Sequence, residues 1–169
     1  PRNISRDETK KLFESRSSVD DVWQKITQSS YFLSKAQKAT FKKHWDSRLN
    51  KEYAEVVYNL GVVLGAEGKI EKAIFHYKRA IKLNPGFARP HYNLGVDLSD
   101  EGRNEEAIFH YKMAIKLKPD FAMAYNNLGA VLGADGKNEE AIFHYKMAIK
   151  LEPDFAMAYN NLGAVLGAD

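Results

Sequence analysis

Apolar residues along this chain recur at three- and four-residue steps, and the whole arrangement recurs every 34 residues. Between Ala88 and Phe121, one run places His91, Leu94, Gly95 and Leu98 on one side of a helix predicted over about 88–100. A second run, Ala107, Ile108, Tyr111, Ala114, Ile115 and Leu117, predicts a helix over about 105–118. Moved back by 34 residues, the stretch falls on Ala54–Phe87; moved forward, it falls on Ala122–Phe155, with a half copy in Ala156–Asp169.

The polar punctuation agrees with this division. Gly102, like Gly68 and Gly136, stands where a first helix would stop in the left-handed conformation that glycine adopts cheaply. Asn104 is read as an N-cap, with Glu105 and Glu106 in the first turn and Lys116 and Lys118 in the last. Pro119 ends the second helix, as Pro85 and Pro153 do in the other copies. Gly95 lies mid-helix, where glycine costs about 1 kcal/mol relative to alanine, so a neighbouring helix is expected to pack closely there. Ala107 leaves similar room, and Tyr111 with Ala114 forms a large–small pair. One helix pair cannot bury its own apolar face, so stability must come from stacked neighbours.

These positions resemble the tetratricopeptide repeat family. The family's pattern is met by Val57, Leu60, Gly61, Leu64, Ala73, Tyr77, Ala80 and Pro85 in the first copy. His91, Leu94, Gly95, Leu98, Ala107, Tyr111, Ala114 and Pro119 meet it in the second, and Tyr125, Leu128, Gly129, Leu132, Ala141, Tyr145, Ala148 and Pro153 in the third. The resemblance covers Ala54 to Asp169 and implies an all-α, right-handed superhelical solenoid of antiparallel helix pairs. The expected organisation is a helical N-terminal segment (1–53), three repeats (54–87, 88–121, 122–155) and a half repeat (156–169).

Residues 1–53 follow the frame poorly. Ser5 with Glu8 reads as a capping box opening a short helix through Leu12 and Phe13. A second helix is predicted over Val19–Tyr31, with Val22, Trp23 and Ile26 as its apolar stripe. Ser34 with Gln37 opens a third, carrying Phe41, Trp45 and Leu49. In the 34-residue frame Trp23, Ile26, Ala39 and Leu49 fit the pattern, whereas Thr27, Lys43, Asp46 and Lys51 do not. The segment is either a degenerate repeat or an unrelated helical piece docked on the first repeat, and in both cases an N-terminal cap.

Charge separates the two regions. Residues 1–53 carry 12 Lys and Arg against 7 Asp and Glu, a net +5, and residues 54–169 carry 13 against 15, a net −2, which together give the chain's +3. Lys35, Lys38, Lys42, Lys43, Arg48 and Lys51 read as a solvated helix face, or else as a patch for nucleic acid or an acidic partner. Asp46 interrupts the patch and no stacking motif accompanies it, which argues against nucleic acid. Cysteine is absent, so disulfide and thiolate chemistry are excluded, and a reducing, cytoplasmic location is expected. No run of about 20 apolar residues is present to cross a membrane. No catalytic constellation stands out. His76, His110 and His144 recur at the repeat period and predict a spaced row rather than converging metal ligands. Glu105–Glu106 and Glu139–Glu140 are explained by helix N-terminal charge. The expectation is therefore a non-enzyme with no cofactor and no metal.

A row of asparagines, Asn59, Asn93, Asn127 and Asn161, is the more informative feature. The resemblance implies that first helices line a concave groove and that this position faces it. The row is similar to the asparagine ladder of the O-GlcNAc transferase repeat domain, which holds peptide backbones. An amide donates and accepts together, so it can pair with an extended backbone without reading its sequence. Helical spacing adds Tyr58, Tyr92, Asn126 and Asn160, then Glu55, Arg89, Met123 and Met157, to the same face. Tyr58 and Val62 stand where chaperone-binding relatives carry Lys and Asn of a carboxylate clamp, which argues against binding a heat-shock chaperone's C-terminal carboxylate. The implied partner is a protein or peptide segment in the groove.

The alternatives are a substrate-recruiting arm of a larger enzyme, and self-assembly through the repeat ends. In the latter, Tyr159, Leu162, Val165 and Leu166 lack a following helix and would stack on another chain. Residues 104–117 and 138–151 are identical, as are 120–135 and 154–169, which fits a recent duplication or an engineered repeat.

Overall fold

The structure is a computed structural model that describes residues 35–167, with side chains described at Lys43 and from Asp46 onward. The helices predicted over Ser5–Phe13 and Val19–Tyr31, and the cap at Ser34, lie outside the described residues. The chain divides into two compact units, Pro1–Leu49 and Asn50–Asp169. The second holds the repeat architecture.

Seven helices and no strand occur among the described residues: α1 (Lys35–Ala66), α2 (Ile70–Leu83), α3 (Ala88–Asp100), α4 (Asn104–Leu117), α5 (Ala122–Ala134), α6 (Asn138–Leu151) and α7 (Ala156–Leu166). The fold is an all-α tetratricopeptide-like solenoid. The predicted third helix and the first helix of the first repeat are one element, α1, of 32 residues. No glycine or proline interrupts the sequence between Lys35 and Asn59, so nothing breaks the helix there.

Each first helix stops as the glycines require. Gly68, Gly102 and Gly136 all have φ of 74°. The amide of Gly102 donates to the Ser99 carbonyl (2.9 Å) and that of Arg103 to the Leu98 carbonyl (2.8 Å), and the other two turns repeat this pair of bonds. The arrangement is a Schellman motif, which satisfies carbonyls the helix end would leave orphaned.

Packing follows the large–small pattern. A Cβ added at Gly95 would lie 2.7 Å from Tyr111 Cε1, and one at Gly61 would lie 2.7 Å from Tyr77 Cε1. The tyrosine of each second helix lies flat on the glycine of its first helix. Ala73, Ala80, Ala107, Ala114, Ala141 and Ala148 are fully buried beside these rings. Leu94, Leu98, Leu128 and Leu132 close the joints between repeats, each burial contributing about 1.5–3 kcal/mol. The phenylalanine ending each of the first two repeats returns to its first helix, with the Phe87 ring 5.1 Å from that of Tyr58 and the Phe121 ring 4.8 Å from that of Tyr92.

Asn104 is not the cap the sequence predicted. It is the first helical residue; the cap position is Arg103, which makes no side-chain capping bond. The Schellman turn runs straight into the next helix, so Arg103 already accepts from Ala107 through its carbonyl. The Asn104 amide instead donates to Asp135 of the next repeat (3.2 Å).

Candidate functional site: the ladder of the first helices

The asparagine row is held between repeats. Asn93 Nδ2 donates to the Tyr58 hydroxyl (3.1 Å), Asn127 Nδ2 to the Tyr92 hydroxyl (3.1 Å) and Asn161 Nδ2 to Asn126 Oδ1 (3.0 Å). Each bond spans 35 residues, so each rung ties one repeat to the repeat before it. One amide hydrogen per rung is therefore committed inside the protein, and Asn93, Asn127 and Asn161 are half-buried. Asn59 is exposed.

Position along the helix decides which of the other predicted residues face solvent. Tyr58 is buried and Tyr92 half-buried; burial raises the pKa of both phenols, and the Asn93 and Asn127 amides respectively oppose the shift. Asn126 is only 1% exposed. It replaces the longer tyrosine, accepts from Asn161 and donates to Asn127 Oδ1 (3.2 Å), so its amide is occupied by its neighbours. Asn160, Arg89, Met123 and Met157 are exposed. Arg89 is already engaged: it pairs with Glu55 (3.1 Å) and lies 5.2 Å over the Tyr58 ring and 5.0 Å over the Phe87 ring. Positions one turn further along the same stripe are Val62, Val96, Ala130 and Ala164, all small or apolar. The face thus changes from a charged, tyrosine-lined beginning to an uncharged end of methionine, asparagine and alanine.

At the last helix, the four predicted end residues split. Tyr159 and Leu166 are exposed, whereas Leu162 and Val165 pack on the shared core, Val165 lying close to Gly133 of α5. Gly163 differs from its counterparts: a Cβ there would meet nothing within 4 Å. In the other three copies a tyrosine of the second helix lies against the matching glycine.

A second polar cluster was not anticipated. His91 Nδ1 and His110 Nδ1 are 3.0 Å apart, with rings 5.2 Å apart. Such a contact requires one ring nitrogen to donate and the other to accept, so the two rings cannot both be charged. Burial, then the neighbouring His91, then Lys78 push the His110 pKa down to about 4, and burial lowers His91. In the first and third repeats, where Val57 and Tyr125 replace His91, His76 Nδ1 and His144 Nδ1 are buried without a partner. The clue in the sequence was a histidine at both helix positions of one repeat only. No group of three or more His, Asp or Glu that could hold a metal occurs among the described residues. Asp97 is the other outlier. Its Oδ2 is buried without a partner, and burial followed by Asp100 and Glu101 pushes its pKa up to about 6. The basic residues Lys43, Arg48 and Lys51 are exposed. No described helix is long and apolar enough to cross a membrane.

Family models described as tetratricopeptide repeat match residues 54–87, and as TPR repeat residues 98–136 and 134–169. No curated protein matches the sequence significantly. Among solved structures, the chain is similar to the first TPR of Spaghetti (RPAP3) bound to the HSP90 peptide SRMEEVD, at 25% identity and a TM-score of 0.68, over 70% of this chain and 94% of that one. The first TPR domain of human RPAP3 is similar at 26% identity and a TM-score of 0.65, over 68% and 91%. The OM64 TPR domain from Arabidopsis shares the fold at 22% identity and a TM-score of 0.68, over 71% and 99%.

Proposed function

Because the chain belongs to the tetratricopeptide repeat family, we propose that it is a non-catalytic scaffold holding an extended segment of a protein partner along the face of its first helices. The observation that carries this reading is the exposed strip of Met123, Met157 and Asn160 along the first helices α5 and α7. Methionine and amide side chains adapt to varied contours and offer both apolar and hydrogen-bonding contact. The similarity to a domain solved with a bound peptide supports the same use of the fold here.

The strip also bears on the kind of segment. The HSP90 peptide SRMEEVD of that structure is rich in acids, and this face offers it little positive charge. Arg89 is the cation on the stripe and is shared between Glu55 and two rings. An apolar or neutral segment fits the third repeat and the half repeat better. The asparagines then contribute their carbonyls and remaining amide hydrogens, each net bond worth about 0.5–1.5 kcal/mol.

The test is a titration of the full chain against arrays of extended peptides, neutral-apolar and acidic. Met123→Ala with Met157→Ala should weaken the apolar binders while thermal unfolding stays unchanged. Binding that survives this pair, or selective capture of acidic tails, would remove the strip from the account.

A further inference from the structure

The second helices carry an apolar feature that the core does not absorb. Phe75, Phe109 and Phe143 are 59%, 58% and 57% exposed. They recur at the repeat period, so a single row of three rings crosses α2, α4 and α6, on a face separate from the ladder. Each ring touches its neighbouring histidine edge-on, at 5.1–5.3 Å, and still leaves more than half its surface in water. Isolated exposed aromatics are ordinary; a repeated row of them marks an interaction surface.

Charge on either side of the row says what fits it. Four residues before each phenylalanine is a glutamate: Glu71, Glu105 and Glu139. Three residues after each is a lysine: Lys78, Lys112 and Lys146. All six are exposed and share the phenylalanine's helix face. At 1.5 Å rise per residue, the acidic row lies about 6 Å to one side of the rings and the basic row about 4.5 Å to the other. Turned over about an axis parallel to the rings, this surface meets itself with acid opposite base and ring opposite ring. Turned over about an axis parallel to the helices, it sets acid against acid. Charge therefore selects one two-fold arrangement.

We propose that the phenylalanine rows of two copies of this chain pack on each other about a two-fold axis parallel to the row. The contact is isologous, so it closes at a dimer, unlike head-to-tail stacking of repeat ends. Three helices of about 20 Å length present roughly 600 Å² per copy. Doubled, that is at the lower edge of specific interfaces, so the dimer is reversible.

Sedimentation equilibrium of the full chain, from micromolar to millimolar, tests this. The expected result is a mass that rises and levels at two copies. A monomer throughout, or growth past two, overturns the proposal. Phe75→Glu, Phe109→Glu and Phe143→Glu together should weaken the dimer by at least about tenfold with thermal unfolding unchanged; an unweakened dimer overturns it. A variant with Lys78, Lys112 and Lys146 changed to Glu should dissociate, as should one with Glu71, Glu105 and Glu139 changed to Lys. Their mixture should restore the dimer as a heterodimer, and failure to do so refutes the charge pairing on which the contact rests.

Discussion

The second and third repeats place one sequence in two settings. Their second helices, α4 and α6, read NEEAIFHYKMAIKL alike. Their first helices differ: His91 corresponds to Tyr125, Asp97 to Val131 and Tyr92 to Asn126 in the repeat frame. His110 consequently finds a ring nitrogen at 3.0 Å, while His144, at the same position, has a buried Nδ1 with no partner. The constant helix supplies the packing; the variable helix determines what each buried polar atom meets.

The largest test exchanges the tenth position of the repeat. Val131→Asp should destabilise the fold by roughly 3 kcal/mol or more, since it buries a carboxyl where Val131 is now 5% exposed. Asp97→Val should do the reverse, stabilising by on the order of 2 kcal/mol at neutral pH. Its pH dependence has a definite sign. Asp97's pKa is raised to about 6 from 3.8, so the folded state holds the proton more tightly than the unfolded state. The penalty is full above about pH 6 and fades as pH falls toward 4. Urea midpoints of both chains at about pH 7.5 and about pH 4, on either side of the raised pKa of about 6, should therefore differ clearly at the first and converge at the second. A gap that persists in acid would show that Asp97 costs stability through shape rather than charge.

Next comes the glycine slot. Gly129→Ala should cost about 1–3 kcal/mol, because its Cβ would stand 2.8 Å from Tyr145. Gly163→Ala, in the matching position with nothing within 4 Å, should gain up to about 1 kcal/mol from helix propensity. Equal effects would mean that the tyrosine, not the slot, yields.

His91→Tyr makes the second repeat resemble the third. It removes the His91 contribution to lowering His110, which should then titrate above its present value of about 4. Nitrogen chemical shifts of the imidazoles against pH would follow this directly. Both histidines of the pair have depressed values, so the stability they confer is complete above about pH 6.5 and is lost as pH falls toward 4. An unchanged His110 titration would assign the shift to burial and Lys78. The smallest effect belongs to Asn104→Ala, expected at about 0.5 kcal/mol because one exposed bond to Asp135 is lost and no cap.

Much of the fold was legible because repetition removes ambiguity. Gly102 in a left-handed turn, Gly95 under Tyr111 and Ala107 in a closed joint each follow from a residue type at a helical spacing. The site was less legible because neighbouring helices choose between adjacent residues. Spacing puts Asn126 and Asn127 on one face; the helix after them makes the first a buried acceptor, and the helix before them makes the second a rung. Asn104 has the right chemistry for a cap, yet a Schellman turn without a spacer moves the helix start onto it. Phe75, Phe109 and Phe143 fall outside the stripe that predicts the second helices' buried face, and that was the available sign of their exposure.

The glycine of α7, Gly163, also bears on how the chain reaches its fold. Tyr145 of α6 rests on Gly129 of α5, yet α7 offers the same Tyr-Asn-Asn-Leu-Gly-Ala-Val-Leu surface on the other side, reached through a turn of similar length. A collapsing chain thus meets two equivalent hairpins, one pairing α6 backward and one pairing it forward, and only the first lets the second repeat stack behind it. Local contacts cannot distinguish them, so the decision waits for α4 to dock on α5. Refolding should then show a slow phase that comes from unpairing the forward hairpin, and adding a single methyl group at Gly163 should erase it.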